Sequence, residues 1–125
     1  MSTLVAQNVG NGSVSTSMAN VVNGSAKAWV NFAGSSGSIR ASYNVSSVTY
    51  NAQGQYTVNF TNSLSDTNYA VAGATGSSTM LSVYGATVFT SSFSTSSCSL
   101  YVGTHSAYSG PAYINHDFVH VAFFR

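Results

Sequence analysis

The sequence predicts an all-β fold, an antiparallel β-sandwich of jelly-roll-like kind. Three observations carry that expectation. Apolar residues alternate with polar ones at period 2 through most of the chain. No window carries a convincing apolar period of 3.6 residues. Serine, threonine and asparagine crowd the sequence, and they favour strands and turns over helix interiors. The length, 125 residues, suits one domain. A chain of that size can bury roughly two thirds of its unfolded surface, so folding needs neither metal nor disulfide.

The elements follow in order. Residues 1–25 hold no aromatic side chain and two Asn-Gly pairs, Asn11-Gly12 and Asn23-Gly24. They read as an extended N-terminal arm with one short strand, and residues 26–125 as the sandwich domain. "KAWVNF" places Ala28, Val30 and Phe32 on one face and Trp29 and Asn31 on the other, both partly apolar. "GSSGS" (residues 34–38) is a loop. "IRASYNVSSVTY" reads as one strand, with Ile39, Ala41, Tyr43, Val45 and Ser47 in phase. "NAQGQ" is a turn. "YTVNF" aligns Tyr56, Val58 and Phe60. "TNSLSDT" turns the chain, with Asp66 as an Asx-turn residue, and "NYAVAG" starts a strand with Tyr69 and Val71 in phase.

Farther on, residues 86–94 and 97–102 form a hairpin about Thr95 and Ser96. Residues 103–117, with the single proline Pro111, read as the longest irregular stretch. "FVHVAFF" is a final strand, apolar on both faces and therefore central. The predicted count is roughly seven to nine strands.

Charge narrows the function. Lys27, Arg40, Arg125, Asp66 and Asp117 carry all the formal charge, 4% of residues against about 25% in ordinary domains. No basic stripe exists to hold nucleic acid, and no Lys/Arg cluster to hold an anionic membrane. No apolar run approaches the ~20 residues of a membrane-spanning helix. The N-terminal residues lack the basic start and apolar core of a signal peptide. Scarce charge and proline leave strand edges unguarded, and covering them with other subunits is one solution, so an oligomer is expected.

Catalysis is not expected. A glycosidase needs two facing carboxyl groups, and the only two here are Asp66 in a turn and Asp117 at a strand start. No Gly-x-Ser-x-Gly elbow is present. The single cysteine, Cys98, is in phase with Leu100 and Val102 and reads as a core residue. Asn-x-Ser/Thr sites at Asn11, Asn23, Asn44 and Asn59 are what an Asn/Ser-rich chain produces by chance. No cofactor is expected.

Two clusters are candidate sites. His105, Tyr108 and Tyr113 lie in the irregular segment, where loops on a rigid β scaffold carry binding function. Tyrosine there offers an apolar face and a hydroxyl to a sugar or a protein surface. His116 and His120 share a parity about Phe118. At about 13 Å apart in a strand they cannot share one ion within a chain, but rings of one histidine on a threefold axis are a weak metal candidate. Hydrogen-bonded histidines are the simpler expectation.

"VVNGSAKAWVNFAG", then "GSIRASYNVSSVTYNAQGQYTVNFTNSLSDTNYAVAG", then "FVHVAFFR" resemble a module of bacteriophage virion proteins. The module is found as C-terminal domains of tail fibres and as small virion proteins of phages of aquatic bacteria. The resemblance spans residues 21–73 and the last eight; residues 74–117 do not match it. It implies a homotrimeric β-domain on the virion exterior and supplies no catalytic residue. A capsid decoration or head-fibre protein, a receptor-binding fibre tip touching host glycan or protein, and a free lectin-like or ice-binding protein are the readings this leaves. No regular Thr-x-Thr repeat supports ice binding. With room for an arm but no shaft, direct attachment of the arm to other virion proteins is expected.

Overall fold

A computed structural model describes residues 5–77, 86–106 and 110–125, with side chains of residues 86, 87, 89, 104–106, 110 and 111 left aside. The fold is all-β and antiparallel, with one short helix. Strands β1 (Asn8–Gly10) and β2 (Ser15–Ser17) pair as a separate hairpin, followed by α1 (Met18–Gly24). The remaining strands are β3 (Ala26–Phe32), β4 (Ile39–Tyr43), β5 (Val45–Ala52), β6 (Gln55–Phe60), β7 (Ala70–Gly76), β8 (Ala86–Phe93), β9 (Ser97–Ser106), β10 (Gly110–Tyr113) and β11 (Phe118–Phe124). They form a four-stranded sheet in the order β4-β3-β11-β7 and a five-stranded sheet in which β8 lines one edge of β9. The other edge of β9 is divided. Its first half pairs β6, which continues to β5, and its second half pairs β10.

Both sheets turn alternate residues toward one core. Ala28, Val30 and Phe32 of β3 and Val119, Val121 and Phe123 of β11 meet Tyr56, Val58 and Phe60 of β6 and Cys98, Leu100 and Val102 of β9. Edge-to-face rings join the two sheets, Phe32 to Tyr56 and Phe60 to Phe123, each at 5.0 Å between centroids. Every core member lies at or beyond Ala28, and no described residue before Ala26 is buried.

β11 is central, between β3 and β7, as its apolar character requires. Cys98 is fully buried, and burial pushes its thiol up, away from the reactive thiolate. Asp66 accepts the Asn68 N–H at 2.7 Å, the expected Asx turn, and also holds Arg125 through two hydrogen bonds.

Three expectations are corrected. The arm holds a two-stranded hairpin and a helix rather than one strand. α1 is seven residues long, too short to declare a 3.6 period, and Ser17 caps it by accepting the Asn20 N–H at 3.3 Å. "IRASYNVSSVTY" is two strands in different sheets. Asn44 between them sits at φ 53°, a left-handed conformation that asparagine tolerates better than most residues, and the chain turns from one sheet to the other there. Much of residues 103–117 is paired, since β9 runs on to Ser106 and β10 returns beside it, with Pro111 opposite His105 on an edge strand that accommodates proline. Sequence neighbours pair within a sheet at β3–β4, β5–β6, β8–β9 and β9–β10, while β3–β11, β11–β7 and β6–β9 join strands far apart in the chain.

Candidate binding surface

Strands β3 and β11 turn one parity of side chains into the core and leave the other on the outer face of the four-stranded sheet. Register lines these outer residues into rows. Tyr43, Trp29, Ala122 and Ala72 make one row, and Ala41, Asn31, His120 and Ala74 the next. Four of the eight are alanines. Their short side chains leave a groove of about 560 Å³ lined also by Trp29, Asn31 and His120. Trp29 is 40% exposed and Tyr43 58% exposed, large values for aromatic rings on a sheet.

The groove lining carries no formal charge. A bulge in β4 opposite the Asn31–Phe32 step inserts Arg40 as an extra residue. Its guanidinium carbon stands 4.4 Å from the Phe118 ring centroid, a cation–π contact, and Phe118 lies parallel to His120 at 6.3 Å. Asn31 is the one amide in the two rows, and its Oδ1 is buried without a hydrogen-bond partner. An unsatisfied acceptor of this kind costs free energy in the folded state.

A second polar cluster is structural. Tyr56 Oη donates to the Gly34 carbonyl at 2.6 Å and lies 3.0 Å from Asn115 Oδ1. Asn115 Oδ1 accepts the Gly54 N–H at 2.8 Å, and its Nδ2 donates to Tyr50 Oη at 3.1 Å. Burial, and secondarily the neighbouring Tyr50, pushes the Tyr56 phenol up to about 12. This network ties the segment before β11 to the β5–β6 hairpin.

Of the candidates read from sequence, His120 lines this groove and the others fall elsewhere. Tyr113 is exposed at the end of β10 and pairs with Tyr101, ring centroids 5.3 Å apart, on the five-stranded sheet. His105 lies in β9 by its backbone, and its side chain is outside the described set. Tyr108 lies outside the described residues. His116 precedes β11 instead of sharing its register. Its carbonyl accepts the Gly34 N–H at 2.9 Å and its Nε2 is buried without a partner, whereas His120 is exposed on the outer face. Among the described residues no group of three His, Cys, Asp or Glu side chains is placed to hold a metal ion.

Sequence reasoning passed over the outer face. Its signals were the partly apolar second face of "KAWVNF" and the alternating alanines of "AVAGAT". Neither shows that the two strands flank β11. Compared with known proteins, the chain matches no family model, no curated protein and no solved structure.

Proposed function

We propose that this protein is a non-enzymatic structural module of a bacteriophage virion exterior. In this reading the two sheets close as a β-sandwich, three copies associate, and the N-terminal arm fixes them to other virion proteins, in the manner of a capsid decoration, head fibre or tail fibre. The observation that carries it is the arm. It is folded into a hairpin and a helix, yet none of its described residues is buried, and Val9, Val14, Val21 and Val22 are exposed. Apolar side chains held on a formed element and left uncovered are the mark of a segment that docks on something else. The resemblance of residues 21–73 to phage virion modules supplies the setting.

The second reading is a receptor-binding tip that touches host glycan or protein, favoured by the exposed aromatic face of the four-stranded sheet. A free lectin-like protein is the third, and shares that face. Immunogold electron microscopy of the source phage, with antibody to this chain, separates the three. Label over the head supports decoration, and label on projecting fibres or the tail supports the tip. Particles without label overturn the virion assignment.

A further inference from the structure

We propose that the outer groove of the four-stranded sheet binds a neutral pyranose sugar, stacked on Trp29 and hydrogen-bonded by Asn31 and His120. This deepens the receptor-contact branch of the reading above and does not need the arm or the virion.

The groove's 560 Å³ falls within the roughly 300–1,000 Å³ of small-molecule sites.

Charge decides the ligand class. The lining holds no carboxylate and no Lys or Arg; Arg40 is engaged over Phe118, and Lys27, in phase with Trp29 on β3, donates to the Val22 carbonyl. A charged ligand would be desolvated there without a counter-ion. A neutral sugar meets every feature. Its C–H face covers the exposed indole, with Tyr43 continuing the platform in the same row. Its hydroxyls can donate to Asn31 Oδ1 once the amide turns about its last torsion, which is broad and soft. The alanines leave the room the ring needs.

Trp29 is the only tryptophan in the chain, so its emission reports on this face alone. The full chain is titrated with methyl glycosides of glucose, galactose, mannose and N-acetylglucosamine, and with a glucuronide and a sialoside. A saturable change with at least one neutral glycoside is expected, with a roughly millimolar dissociation constant. Asn31→Ala weakens it about tenfold, or about 1.4 kcal/mol. Tyr43→Ala weakens it as well, and Tyr113→Ala leaves it unchanged; melting curves confirm that each variant is folded. Silence with every neutral glycoside overturns the proposal, as does a response confined to the anionic sugars. Emission that follows protein concentration while sedimented mass rises overturns it in favour of a second copy. Micrographs test the virion assignment and emission tests the groove, so each can fail without the other.

Discussion

Asn44 joins β4 to β5, and changing it tests how the chain passes from one sheet to the other. Its backbone stands at φ 53°. Its Nδ2 donates to the Lys27 and Asn62 carbonyls, both at 3.1 Å, and its Oδ1 accepts the Asn62 N–H at 2.8 Å. Alanine loses all three bonds and keeps the left-handed backbone. The strain term is about 1 kcal/mol. The three bonds, partly exposed, add about 2 kcal/mol net. Asn44→Ala is therefore expected to cost about 3 kcal/mol and to lower the melting temperature by roughly 10 °C. Asn44→Gly relieves the strain and loses only the bonds, so it costs about 2 kcal/mol. Asn44→Asp keeps the acceptor but turns a carboxylate oxygen toward the Lys27 and Asn62 carbonyls, so it costs at least as much as glycine. Urea denaturation gives the order asparagine, glycine, alanine by falling midpoint at constant slope, with aspartate no better than glycine. Glycine no better than alanine would refute the role of φ. Alanine within about 0.5 kcal/mol of the parent would refute the corner altogether.

Two further outcomes depend on protonation. Tyr56 in the folded chain titrates near 12 against about 10 unfolded, so the stability linked to its neutral form is complete below about pH 10 and is lost as pH rises toward 12. Burial pushes the Tyr69 phenol up as well, so phenolate absorbance should show a late step that Tyr56→Phe reduces; an unchanged absorbance curve in the variant would contradict the assignment. Arg125 holds the Asp66 carboxyl below the usual carboxylate range, with the Asn68 N–H assisting. Its contribution is present above about pH 4 and is lost as pH falls below that. Asp66→Asn should flatten the acid limb of the stability curve, and added salt should shrink the difference because the pair is exposed. Equal acid limbs at low salt would refute it.

The sequence by itself determined the inward residues of the main core strands. Period 2 is local, so Ala28, Val30 and Phe32, then Tyr56, Val58 and Phe60, then Cys98, Leu100 and Val102 could be assigned to a core without knowing their neighbours. Asp66 as a turn residue and β11 as a central strand were legible for the same reason. Left-handed geometry at Asn44 was not, because asparagine is only tolerant of that conformation and nothing in the alternation marks the break. Nor was α1, whose two turns are held by a Ser17 cap rather than by an apolar stripe. The candidate surface belonged wholly to tertiary structure. Trp29, Ala72 and His120 are far apart in the chain, and only the order β4-β3-β11-β7 and its register set them in adjacent rows. Alternation says which way a side chain points from its strand, but pairing decides what stands beside it, and that is fixed by the packing of both sheets on the shared core.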